Sequence, residues 1–234
     1  MAQFEIIVQE GVRLVKVTLR DETIRTESGA LYYMKGAITM ESKSPGLGGF
    51  FKALATGEKI FRPTYTGTGD LFLEPSFGGF HIFDGGGRTW IAESGSYWAS
   101  EMGISVDVHR ESALTAFKSG EGFLDFQTKL SGQGTIVLQC QGAVEVVNLN
   151  NERMTVDGNY VLARSGDIQY SAQRATRSLF SSMTSGEGFV RIYEGTGTLL
   201  MAPVPYWRHR MFQLMSGLRA GGNAGGGEGG GAFG

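Results

Sequence analysis

The sequence predicts a mainly β fold: three tandem β-sandwich-like repeats of about 65 residues, each with one short helix, in a pseudo-threefold arrangement. Three observations predict it. Glycine supplies 37 of the 234 residues, about double the ~7% of an average soluble protein, without the every-third-residue rule of collagen. Apolar and polar residues alternate through runs such as Val12-Arg13-Leu14-Val15-Lys16-Val17-Thr18-Leu19, the period of a half-buried strand. Four short markers recur three times in the same order.

Met1 to Gln9 reads as a strand with Glu5 inside it. The first unit, residues 11–78, opens with the alternating run. It then turns at Ser28-Gly29, where glycine supplies the positive φ of a hairpin, into the aromatic strand Leu31 to Tyr33. Gly36 opens an apolar strand around Ile38. Leu47 to Thr56 has helical character and ends at Gly57, the left-handed position that satisfies the last carbonyls of a helix. Gly57-Glu58 with Phe61 and then Gly67-Thr68-Gly69 lead into Leu71-Phe72-Leu73.

The second unit, 79–141, repeats the order. Ser94-Gly95 precedes Tyr97-Trp98, Gly103 precedes Ile104, and Ser112 to Ser119 is the helix. Gly120-Glu121 with Phe123 and Gly132-Gln133-Gly134 precede Ile136-Val137-Leu138. The third, 142–203, has Asp157-Gly158 before Tyr160 to Leu162, Gly166 before Ile168, and a helix from Arg174 to Ser185. Gly186-Glu187 with Phe189 and Gly195-Thr196-Gly197 precede Leu199-Leu200-Met201. The first glycines of the Gly-x-Gly pairs recur at intervals of 65 and 63 residues. Units of this size are small for self-sufficient cores and are joined by short, apolar links, so they are expected to pack on one another. Residues 204–220 form a basic-aromatic segment beyond the repeats. Residues 221–234, nine of them glycine, read as a flexible tail.

Composition limits function. The net charge of -2 argues against a broad nucleic-acid surface, which needs clustered Lys and Arg. A single cysteine excludes an internal disulfide framework and any multi-cysteine zinc site. No stretch approaches the ~18 apolar residues of a membrane span. The N-terminus lacks the pattern of a signal peptide. A cytoplasmic protein, soluble or peripheral to a membrane, is expected.

Several segments carry a resemblance. Gly29-Ala30-Leu31-Tyr32-Tyr33-Met34, Val156-Asp157-Gly158-Asn159-Tyr160-Val161-Leu162-Ala163, and Ser185-Gly186-Glu187-Gly188-Phe189-Val190 with Gly195-Thr196-Gly197 resemble the hallmark segments of the altered-inheritance-of-mitochondria family, in its short prokaryotic-type branch, over about residues 3 to 202. The resemblance implies a fold like that of the trp RNA-binding attenuation protein, with three similar β-sandwich units in one chain. Mitochondrial members are associated with inner-membrane organisation. The amphipathic, Arg-rich leader of an imported protein is not seen in this sequence.

Candidate chemistry is sparse. His81, His109 and His209 occupy unrelated repeat positions without metal-ligand spacing, and read as ordinary polar positions on strands or the tail. Cys140 ends an apolar strand and reads as a buried, inert thiol. Gly46-Leu47-Gly48-Gly49 precedes a helix but lacks a following Gly-Lys-Ser/Thr, so no nucleotide or other cofactor is expected. Glu58, Glu121 and Glu187 recur once per unit. They fit either an acidic ring or cation site around an axis, or simply polar residues after a helix cap. Arg25, Arg88 and Arg153 lie four, seven and five residues before the turn glycines and make no matched set, so RNA is not an expected partner.

In the C-terminal segment, Trp207, Arg208, Arg210, Met211, Phe212 and Met215 suit contact with a protein partner or an anionic membrane. The same segment could instead fold back as a capping helix. The expectation is a non-enzymatic scaffold or interaction protein acting at a membrane surface or in a larger assembly. A small-ligand or RNA-binding module using clefts between repeats is the alternative. Unclosed edge strands would favour self-association.

Overall fold

The computed structural model describes residues 1–42, 62–110, 126–157, 160–174 and 189–202. The regular elements among them are strands: β1 (Gln3–Gln9), β2 (Val12–Thr26), β3 (Leu31–Glu41), β4 (Thr64–Leu73), β5 (Gly79–Asp84), β6 (Thr89–Ala92), β7 (Tyr97–Glu101), β8 (Ile104–Arg110), β9 (Phe126–Gly132), β10 (Thr135–Cys140), β11 (Glu145–Asp157), β12 (Val161–Ser165), β13 (Gln169–Arg174) and β14 (Phe189–Met201). The fold is mainly β, as the alternating runs predict. The expected helices at 47–56 and 112–119 lie outside the described residues. So does the third beyond Arg174, which itself ends β13.

The strands form two seven-stranded antiparallel sheets. The first runs β3-β4-β2-β7-β10-β5 with β1 added to β2; the second runs β11-β14-β12-β6-β9-β8 with β13 added to β14. This partition does not follow the sequence units. The stretch 79–141 gives β5, β7 and β10 to one sheet and β6, β8 and β9 to the other. Glycines set the breaks: Gly86 and Gly87 between β5 and β6, Gly132 at the end of β9 and Gly134 between β9 and β10 all have positive φ.

One pairing recurs along the chain: the strands that hold or follow a Gly-x-Gly pair each lie between earlier strands of their own stretch. β4 pairs with β2 and β3. β10 pairs with β5 and β7, and β9 with β6 and β8. β14 pairs with β11, β12 and β13. Two junctions then connect successive stretches. Thr26 on β2 opposes Ala99 on β7. Ala92 on β6 opposes Ala163 on β12.

The Gly-x-Gly pairs sit within or between strands rather than before them. Gly67 and Gly69 lie inside β4, and Gly195 and Gly197 inside β14. The reason is a close backbone crossing. Gly69 faces Gly36, and a Cβ added at Gly67 would meet the carbonyl oxygen of Ala37. Opposite each crossing the first strand bulges. Asp21 and Asn151 adopt φ of 65° and 53°, and register shifts there. The bonding is the same in both. Asp21 N donates to Thr68 Oγ1 at 3.0 Å and Asn151 N to Thr196 Oγ1 at 2.9 Å. Arg20 N donates to Glu22 Oε2 and Asn150 N to Glu152 Oε2.

Burial follows position in the sheets. β12, flanked by β6 and β14, is buried at all five positions, whereas the outer strand β3 exposes almost its whole length. Val15, Val17, Leu19, Ile24, Leu71 and Trp98 form one core cluster. Trp90, Tyr97, Ile104, Leu130, Ile136 and Leu162 form a second, and Leu149, Val156, Tyr193 and Leu199 a third.

Candidate functional site

The junctions concentrate the buried charge of the described residues. Just past the end of β2, the amide of Glu27 donates to the carbonyl of Trp98 at 2.8 Å; just past β6, the amide of Glu93 donates to that of Leu162 at 2.9 Å. Both glutamates stand two residues before a turn glycine, and both carboxylates meet a side chain five residues before a Gly-x-Gly pair. Arg62 Nε lies 2.9 Å from Glu27 Oε2, and Gln127 Nε2 donates to Glu93 Oε1 at 3.2 Å. Arg62 is almost fully buried, its guanidinium 5.1 Å from the Tyr97 ring centre. Arg191 on β14 adds a second donor to Glu93 Oε1, at 2.7 Å. In the third stretch Asp157 opposes Val190, so an apolar residue stands where Arg62 and Gln127 do.

Burial also tunes the neighbouring hydroxyls. It pushes the Tyr97 phenol up to about 12, against smaller opposing effects of the Ser100 hydroxyl, 3.0 Å away, and Arg62. Burial raises Tyr193 as well, with Arg191 opposing it. Such groups hold protons tightly and suit packing rather than proton transfer at neutral pH.

A cleft of about 450 Å³ opens between the first bulge and the middle stretch, lined by Glu22, Thr23, Asp84, Glu101, Met102 and Gln133 among others. Its carboxylates are engaged by nearby donors. Glu22 Oε1 accepts from the Met1 ammonium at 2.7 Å, and this bond holds the Glu22 carboxyl below its ordinary range. Asp84 Oδ1 accepts from Gly86 N and Glu101 Oε2 from Thr135 N. The lining is acidic, which favours a small cation and repels phosphate.

Of the residues singled out by sequence, Cys140 is buried at the end of β10, its sulfur 3.2 Å from the Gly142 carbonyl, and burial pushes the thiol up to about 11. His81 is half-buried on β5 beside Phe83, and burial lowers its pKa. His109 lies on β8 opposite Gln127. Arg25 donates to the Ile104 carbonyl, and Arg153 pairs with Glu194 at 3.4 Å. Among the described residues no three His, Cys, Asp or Glu side chains are placed to hold a metal ion. His209, Glu58, Glu121 and Glu187 lie outside the described residues, as do Trp207, Arg208, Arg210, Met211, Phe212 and Met215. Sequence reading missed the glutamates Glu27 and Glu93. Their signal was Glu-Ser-Gly at two of the three turns, matched by Arg62 and Gln127 five residues before the Gly-x-Gly pairs.

Among the described residues no helix is long and apolar enough to cross a membrane. The chain is 22% identical over 188 residues to an uncharacterized protein of Streptococcus pyogenes serotype M6, covering 76% of this chain and 75% of that one. A crystal structure of a Streptococcus pyogenes protein resembles it with a TM-score of 0.71 at 21% identity, over 94% of this chain and 99% of that one, a likeness of fold. The family model described as Mitochondrial biogenesis AIM24 matches residues 4–204, and the chain belongs to that family.

Proposed function

We propose that this chain is a non-enzymatic scaffold or interaction protein, built from three copies of one β module, that works in a larger assembly or at a membrane surface. The observation that carries the reading is the outer strand β3, where Tyr32, Tyr33, Met34 and Met40 are all exposed. An apolar run on a sheet edge is a surface for pairing with another chain. The recurring strand pairing, the matched bulges at Asp21 and Asn151 and the matched Glu27 and Glu93 junctions support the three-module reading.

In this reading the segment 204–220 supplies the outward contact. Trp207, Met211, Phe212 and Met215 are its apolar anchors, and Arg208 and Arg210 each contribute about 1 kcal/mol near an anionic surface. The test compares the full chain with one ending at residue 203, by flotation with phosphatidylserine vesicles and by affinity capture. Recovery of the full chain alone is expected; equal recovery of both removes the segment from the function.

The acid-lined cleft favours, as a second reading, a module that binds a small cationic ligand between repeats. Thermal shift with a polyamine tests it, with Glu101→Gln expected to abolish any stabilisation. Filter binding is expected to find no salt-dependent RNA affinity.

A further inference from the structure

Two junctions inside the chain follow one rule, and that rule leaves two strands without their counterpart. At the first junction the end of β2 pairs antiparallel with the last three residues of β7, and at the second β6 pairs antiparallel with β12. In each, the residue three before the turn glycine, Thr26 or Ala92, opposes the residue just after a bulge, Ala99 or Ala163. The bulged residue, Trp98 or Leu162, gives its carbonyl to the amide of Glu27 or Glu93. The start of β3 has the same bulge at Tyr32, where the register with β4 shifts between Leu31 and Tyr33. The end of β11 has the same place before its turn: Val156 opposes Arg191 as Thr26 meets Pro63, each four residues past the matched glutamates Glu152 and Glu22, so Asp157 stands where Glu27 does. Among the described residues β3 pairs only with β4 and β11 only with β14.

Exposure marks the missing contact. Trp98 and Leu162 are each 4% exposed, and Tyr32 at the matching position is 57% exposed. Ala99 and Ala163 are 0% and 1% exposed, and Tyr33 is 46% exposed. Large apolar side chains thus occupy positions that the internal junctions cover. The chemistry is also matched. At the first junction Arg62 lies over Tyr97, the residue before the bulge. At the unfilled one the corresponding residues are Val190 and Leu31, an apolar pair.

We infer that β3 of one molecule pairs antiparallel with the end of β11 of a second copy, Val156 opposite Tyr33 and the Asp157 amide donating to the Tyr32 carbonyl, so that the chain assembles head to tail. The two surfaces are different patches of the same molecule, so the contact is heterologous and each added copy presents a fresh β3 and a fresh β11 until a ring closes. This rests on the three-module reading above but not on the membrane role of the C-terminal segment, and flotation of the full chain is indifferent to it.

The test uses the full chain. Native mass spectrometry is expected to give a discrete multiple of the 25.2 kDa chain mass. Tyr32→Lys with Met34→Lys, charges of the kind that guard natural sheet edges, is expected to leave single chains with an unchanged circular dichroism spectrum. A second measurement does not depend on that variant folding. Opposed residues in an antiparallel pair have Cα atoms about 4.5–5.5 Å apart, within reach of a disulfide. Met34→Cys and Thr155→Cys, which this register sets opposite each other, are made in separate chains, mixed and oxidised, with Cys140 buried away from the reaction. A covalent pair joining one chain of each kind is expected, and its absence overturns the inference. So does cross-linking of each variant to itself, which marks an isologous contact. So does a double variant that only cyclises within one chain, which marks closure inside the molecule.

Discussion

Arg191 Nη1 donates to Glu93 Oε1 at 2.7 Å across 98 positions of sequence, and this ion pair ties β14 to the turn that follows β6. The arginine side chain is nearly fully buried, the glutamate more open. Removing one member strands the other's charge in a poorly solvated place. Arg191→Met is expected to cost about 3 kcal/mol in urea unfolding. Glu93→Gln combined with Arg191→Met is expected to cost less than the two single changes added together, because the second removes the charge stranded by the first.

The glycine crossings give a graded test. Gly67 has φ of +139°, and a Cβ there would press on the Ala37 carbonyl; Gly29 has φ of +81° and open space around it. Gly29→Ala is expected to cost about 1 kcal/mol, the strain of the left-handed region alone. Gly67→Ala adds a backbone collision and is expected to lose at least twice that, read from the urea midpoint at constant slope.

Acid sensitivity is expected at the pair of β2 and β4. Asp70 accepts from the Thr18 hydroxyl at 2.8 Å and lies 3.3 Å from Lys16 Nζ, and these hold its carboxyl below the ordinary aspartate value of 3.8. A folded pKa below the unfolded one contributes stability that is present above the unfolded value and lost as pH falls through the folded one. Asp70→Asn is therefore expected to flatten the fall in Tm below about pH 4 while leaving its trend near neutrality unchanged.

Cys140 is expected to be silent until the protein opens. With the thiol at about 11 rather than 9.0, the thiolate fraction at pH 8 falls about a hundredfold, and burial blocks access besides. Iodoacetamide labelling followed by intact mass is expected to show almost none in buffer and complete modification in 6 M guanidinium.

How much of this was written in the chain depends on range. Alternation at Val12–Leu19 and the closing strand at Ile136–Leu138 are local signals, and both stretches are strands. The glycine markers were visible too, but their role was not. A Gly-x-Gly pair reads as a turn, and only the approach of Gly36 to Gly69 reveals a crossing. The division of 79–141 between two sheets could not be read, because periodicity tells which face of a strand is apolar and not which strand lies beside it. The same limit hid the Glu93 and Arg191 pair. The residues proposed from sequence as an axial carboxylate set or a membrane contact lie outside the described residues, so the site found is made of others.

The division of the middle stretch has a thermal consequence. Two domains joined by a linker can melt at different temperatures, each absorbing its own heat. Here, every strand lost from β5, β7 or β10 has its direct continuation in β6, β8 or β9, a few residues away in the other sheet. Loss of order in one sheet is handed on through four short covalent links at once. A calorimeter is expected to record a single endotherm with equal van 't Hoff and calorimetric enthalpies, the behaviour of one cooperative body.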